Sequence, residues 1–140
     1  MLILHPARLT LGPHTFTDVE SVAINRIATR SVIEIGDAGP HALFADVPEQ
    51  RTTITITRRL AATHALSLLP GQTLPLSVDL SREATDAGRT RLQASCVLLE
   101  SRHDLAAAIP GSGRARALHV LSLVALSPDG VADPIQLATP

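Results

Sequence analysis

Residues 51 to 60 read RTTITITRRL, and the period of that stretch restricts the fold more than anything else in the chain. Arg51, Thr53, Thr55, Thr57 and Arg59 occupy the odd positions, while Ile54, Ile56 and Leu60 fall on the other parity. Successive side chains on a strand point to opposite faces, so the pattern predicts a strand with one face in a core and the other on something wet. The same period returns in TLPLSVDLS (73–81), where Leu74, Leu76, Val78 and Leu80 alternate with Thr73, Pro75, Ser77, Asp79 and Ser81. Pro75 has no N–H to give to a ladder, so this strand is expected at a sheet edge or with that residue turned from its neighbour.

Extended signals continue along the chain. SVAINRI (21–27) and SVIEI (31–35) alternate around a short polar break, GDAGP (36–40) reads as a turn, and HALFADV (41–47) as a further strand closed by Pro48. After residue 60, Leu60, Ala61, Ala65, Leu68 and Leu69 can share one helical face, with Thr57 able to cap it and Pro70-Gly71 to stop it. One short helix is therefore expected over about residues 58–69. REATDAG (82–88) is a polar loop, RTRLQASCVLLESRH (89–103) a long strand, and DLAAAIPGSG (104–113) a loop. RARALHVLSLVAL (114–126) is apolar on both parities from Leu118 onward, as a strand is when buried on both faces, centrally or against a neighbouring subunit. SPDG (127–130) has turn chemistry and leads to a final strand, DPIQL (133–137). The sum is a mainly β single domain over 1–140, a β-sandwich or partly closed β-barrel of seven or eight strands with one flanking helix.

Composition narrows the function classes. A chain of 140 residues can bury roughly 68% of its unfolded surface, enough for a core without staples. Hydrophobic residues make up 45%, yet there are two Phe and no Trp or Tyr, which argues against base-stacking platforms for single-stranded nucleic acid. The formal net charge of -1 leaves no overall electrostatic footprint for DNA or an anionic membrane. All twelve basic residues are Arg, the cation suited to ordered, bidentate contacts. Cys96 is the single cysteine and shares parity with Leu92, Ala94 and Leu98, so it reads as a small buried apolar residue. The N-terminal MLILHPARL lacks a basic start and breaks at His5-Pro6, unlike a secretion signal, and no apolar run reaches membrane-span length.

Motifs of catalysis do not emerge. The six His lie at 5, 14, 41, 64, 103 and 119, without HxxxH or HExxH spacing. His119, between Leu118 and Val120, reads as a core or interface histidine, and the neighbours His103 and Asp104 point apart on a strand. No nucleophile elbow, phosphate loop or dinucleotide fingerprint is present. PGSGRAR (110–116) has glycines and arginines able to cradle a phosphate, but reads more simply as a hairpin loop before a strand. Nothing brings Glu34 and Glu100 together as a carboxylate pair. The expectation is a protein without catalytic residues, metal or cofactor.

The order of elements carries a resemblance. A polar-faced strand leading into a short helix, TTITITRRLAATHALSLLPG, then a strand, a long strand and ALHVLSLVALSPDGVADPI, resembles the tail tube proteins of tailed bacteriophages, prophages and gene transfer particles. The likeness covers residues 18–60 and 89–137 as a pattern rather than a short signature. It implies a small β domain whose copies form hexameric rings, stacked into a tube through which DNA passes as non-specific cargo. On that footing the chain is a structural virion protein, assembled in a host cytoplasm, whose partners are itself and other tail proteins, without membrane insertion. Loops 36–50 and 82–90 would reach the next subunit or ring. Thr53, Thr55 and Thr57 would face the channel or a neighbouring strand, since a sliding polyanion calls for a wall without phosphate-binding Arg. Arg51, Arg59, Arg114 and Arg116 would then serve subunit contacts, pairing with carboxylates such as Asp46, Glu49 and Asp86. A connector or injection-tube component is the neighbouring alternative, and a monomeric β-barrel ligand-binding protein the one from another class.

Overall fold

The computed structural model of the chain describes residues 2–4, 8–59, 68–80, 90–106 and 116–138. Its strands are β1 (Leu2–Leu4), β2 (Arg8–Leu11), β3 (His14–Phe16), β4 (Val19–Ile35), β5 (Ala42–Arg59), β6 (Thr73–Leu80), β7 (Thr90–Ala106), β8 (Arg116–Leu126) and β9 (Gln136–Ala138). They form one sheet in the order β1-β4-β5-β8-β7-β6-β2-β3, with β9 paired to β7, and every pairing is antiparallel. The mainly β expectation holds, in the form of an open sheet that does not close into a barrel.

Alternation decides which face is buried. Ile54 and Ile56 of β5 stand opposite Leu123 and Leu121 of β8, and Leu123 stands opposite Leu98 of β7. All five are fully buried. One cluster joins them to Val22 and Ile24 near one end of the sheet and to Leu9, Leu11 and Val78 near the other. The sheet therefore curls around its core, and the outward faces of its two halves diverge. β8 sits centrally, between β5 and β7, but only its core face is fully covered: on the outward face Val120 is buried, Ser122 and Val124 are half-buried and Leu126 is exposed, so among the described residues the expected burial of both faces is not met within one chain.

Several boundaries differ from those the sequence suggests. The segments 21–27 and 31–35 are one strand, β4, and 41–47 joins 51–59 in β5 without a break at Pro48. Register shifts between Ala28 and Val32 absorb the irregularity there. The helix expected over 58–69 is not found where it can be checked. Arg58 and Arg59 pair with His119 and Leu118 as the end of β5, and Leu68 and Leu69 are non-helical. The buried side chain of Arg58 and the ladder to β8 hold the chain extended there; residues 60–67 lie outside the described residues. Among the described residues there is no helix.

Pro75 is inside the sheet, on β6 between β7 and β2. Its carbonyl accepts from Gly12 N at 2.8 Å. The N and C=O of a strand residue point to the same side, so its missing N–H faces β2 where that chain is already turning away. The turn itself, Gly12-Pro13 between the paired Leu11 and His14, has φ 59° at Gly12, the arrangement of a type II′ hairpin. A Cβ at Gly12 would lie 2.8 Å from Leu74 Cδ2. Gly12→Ala is therefore expected to lower stability by about 1–2 kcal/mol in urea unfolding, from the left-handed backbone and the contact together. An unchanged midpoint would contradict this account of the turn.

Candidate functional site

The face opposite the core is built from small uncharged side chains. Register places Ala23, Thr55 and Ser122 side by side on β4, β5 and β8, and Asn25, Thr53, Val124, Val97 and Thr73 in the next row across five strands. Thr57 follows between Ser21 and Val120. Thr53 Oγ1 donates to the Asn25 carbonyl at 3.3 Å. The β-branched threonines fit a pleated surface while keeping a hydroxyl toward the outside. Charge enters this surface at its borders, through Arg51 at one end and Glu100 and Arg102 at the other.

Beyond the body of the sheet, β4 and β5 continue as a two-stranded arm. The last buried residues are Ile24 on β4 and Thr52 on β5, and apart from half-buried Asn25 and Gly36, residues 25–51 are exposed. Among the described residues neither outer edge of this arm has a strand partner, because β1 pairs only as far as Ile24 and β8 only from Thr53. Ile33 and Ile35 stand opposite Ala45 and Ala42, giving the tip one face without charge. Ile33 is 61% exposed, Ile35 63%, and Leu43, at a bulge beside Gly36, 79%. Val32, Glu34, Phe44 and Asp46 occupy the other face. At its base Arg26 donates to both carboxylate oxygens of Asp133, each at 2.9 Å, which also holds the Asp133 carboxyl below the usual range.

Arg58 shares the parity of Ile54 and Ile56, and the structure buries it with only 4% of its surface exposed. The guanidinium lies 4.4 Å from the centroid of the Phe16 ring and 3.8 Å from Asp18 Oδ1. Next to it, His119 is fully buried, stacks on His103 with ring centroids 4.5 Å apart, and shares a 2.8 Å hydrogen bond between Nε2 and Ser101 Oγ. Among the described residues, Arg58 Nε and His119 Nδ1 find no hydrogen-bond partner. Burial first, then the neighbouring His103 and Arg58, push the His119 pKa down to about 4. A Ser–His hydrogen bond alone is not a nucleophile site. Among the described residues no carboxylate orients the other ring nitrogen, and the imidazole has no surface exposed for a substrate. Cys96 is fully buried, its thiol pushed up to about 12 by desolvation, and so behaves as a core side chain.

A groove of about 650 Å³ lies on the outward side of the β2, β6, β7 end of the sheet. A polar row, Thr10, Ser77, Gln93 and Gln136, forms its floor across four strands. Pro75, Leu126, Pro128 and Pro134 supply apolar walls. The wall segment 127–135 is shaped by Asp129, whose Oδ1 accepts from Val131 N and Ala132 N, and by Gly130 N donating to Ser127 Oγ.

The residues singled out from the sequence are placed as follows. Thr53, Thr55 and Thr57 share the outward face of β5. Arg51 is exposed and has no ion pair among the described residues. Arg59 Nε bonds Glu20 Oε1 of its own chain at 2.7 Å, Glu49 lies 3.9 Å from Arg30, and Asp46 accepts from Val47 N. Arg116 opens β8 opposite Ala106, while Arg114, Asp86 and the loop 82–88 lie outside the described residues. Sequence reasoning passed over Arg58 and the apolar arm. Arg58 was visible as a cation on the apolar parity, whereas an exposed Ile33 carries no mark that separates it from a buried one. Among the described residues no three His, Cys, Asp or Glu gather as a metal site. No protein-family model matches the chain, and no curated protein matches it.

Proposed function

We propose that the chain is a self-assembling structural subunit, of the kind that forms a phage tail tube by closing into rings and stacking. The observation that carries this reading is the β4–β5 arm, a two-stranded extension of the sheet with both outer backbone edges unpaired among the described residues and apolar side chains on both faces. An exposed edge of this kind is a template for pairing, and copies of the same chain supply the partner while ring closure removes the remaining edges. The uncharged threonine rows suit the inner wall of such a ring. Each Arg on a channel wall would add salt-dependent affinity for phosphate and slow a sliding DNA; the Asn25–Thr53–Val124–Val97–Thr73 row holds none, and the Ser21–Thr57–Val120 row meets one only at Arg102 on β7. The reading makes no demand for catalysis, metal or cofactor.

Negative-stain imaging and sedimentation velocity over a range of concentrations test it. Rings or tubes with an axial channel are expected. A protein that remains a clean monomer at every concentration would refute it and return the groove to consideration as a small-ligand site.

A further inference from the structure

The arm tip and the groove are complementary and cannot meet within one molecule. From Ile24, the last buried residue of β4, to Ile35 the strand is continuous, which carries the tip roughly 35 Å from its own core at about 3.3 Å per residue. The groove is near the arm's base instead. Asp133, bonded to Arg26 there, precedes the groove residue Pro134, and Leu126 on the groove wall continues the register of β8 one step past the Thr53–Val124 pair, toward Arg51. Charges follow the same division. Residues 31–50 contain Glu34, Asp37, Asp46 and Glu49 and no Arg or Lys. Arg51, without an ion pair among the described residues, lies one register step past Thr53 on the side of the groove residue Leu126, and Arg8 stands beside the Asp79–Arg91 pair beyond the groove's polar row.

We propose that the uncharged face of the arm tip, Ile33 and Ile35 with Ala42 and Ala45, docks into the Pro75, Leu126, Pro134 groove of a second copy of this chain, with Arg51 of the receiving copy meeting the acidic tip. The proposal rests on the self-assembly reading and adds the partner surface to it. An apolar patch of this size on an isolated arm is covered when a groove with proline walls receives it, and the opposite charges set its orientation. The contact is heterologous, arm to groove, so every copy offers one of each. Such a contact propagates, closing into a ring when the rotation allows and otherwise running on as an open chain. This ties the arm's base to its neighbour's tip through the same Arg26–Asp133 bond.

Two variants separate the halves of the contact. Ile33→Asp with Ile35→Asp disables the arm and leaves the groove, while Ser95→Glu, at an exposed floor position between Pro75 and Leu126, fills the groove with a charge that repels the tip. Both sites are outside the core, and circular dichroism with a cooperative melt verifies each fold. Each variant alone is expected to self-associate at least about tenfold more weakly than the parent chain in sedimentation equilibrium. Their equimolar mixture is expected to give a heterodimer and nothing longer, because only one arm and one groove remain intact. If Ser95→Glu assembles like the parent while the arm variant does not, the arm meets another surface and the docking is overturned. A mixture without heterodimer overturns it as well. Should the parent form rings while the mixture is silent, the tube reading survives alone; a heterodimer from the mixture with a parent that forms only open chains leaves the docking standing and removes the tube.

Discussion

Leu123→Ala is expected to lower the unfolding free energy by about 3 kcal/mol, out of the roughly 5–15 kcal/mol that a domain of this size has in total. Leu123 is fully buried on the central strand β8, and its cross-strand neighbours Ile54 and Leu98 are fully buried too. Ile24 extends that row to β4. Removing the side chain costs its transfer from water and leaves a cavity that strands fixed on both sides cannot close. Neighbouring Leu126, on the outward face and 40% exposed, is the comparison. Leu126→Ala is expected to cost well under half as much in the same urea titration. Equal losses at the two positions would mean that the row through Ile54, Leu123 and Leu98 is not the centre of the core.

The same row marks what the sequence makes legible. Ile54, Ile56, Leu76 and Val78 are all placed by alternation, since a period of two survives whatever the strand pairs with, whereas Leu121 and Leu123 lie in a strand apolar on both parities and owe their place to register. Continuity is harder to read. β5 runs through Pro48 because, among the described residues, the arm's outer edge has no ladder for a proline to interrupt, and β4 runs through residues 28–32 because bulges take up the excess. The bulge at Leu99 has a further effect: Leu98 and Ser101 both pair with buried residues of β8, so parity reverses between them and His103 is brought to His119. A one-residue insertion in the ladder leaves no trace in hydropathy. The groove is legible only as turn chemistry at SPDG, because its floor is assembled from four strands distant in sequence. What depends on local period is visible in advance, and what depends on register is not.

Acid should destabilise the fold through His119. Its folded pKa is lowered from 6.5 to about 4, chiefly because burial disfavours the imidazolium and then because His103 and Arg58 stand beside it, partly offset by Asp18. The unfolded chain takes up a proton near pH 6.5, and the folded chain resists until about pH 4. In that window the unfolded state holds more protons, so stability falls as pH falls, at up to about 1.4 kcal/mol per pH unit. The stabilisation is complete above pH 6.5, and about 3 kcal/mol of it is lost by pH 4. Carboxylates titrating near the lower end add their own dependence, so the informative quantity is a difference between two proteins. His119→Gln keeps a neutral polar side chain beside Ser101 and removes the titration. Its unfolding free energy is expected to be lower than that of the parent at pH 6.5 and to decline less steeply toward pH 4, the two curves converging. Parallel curves across this range would show that the buried imidazole is not what links the fold to acid, and would shift attention to the Arg58–Asp18 contact that lies against it.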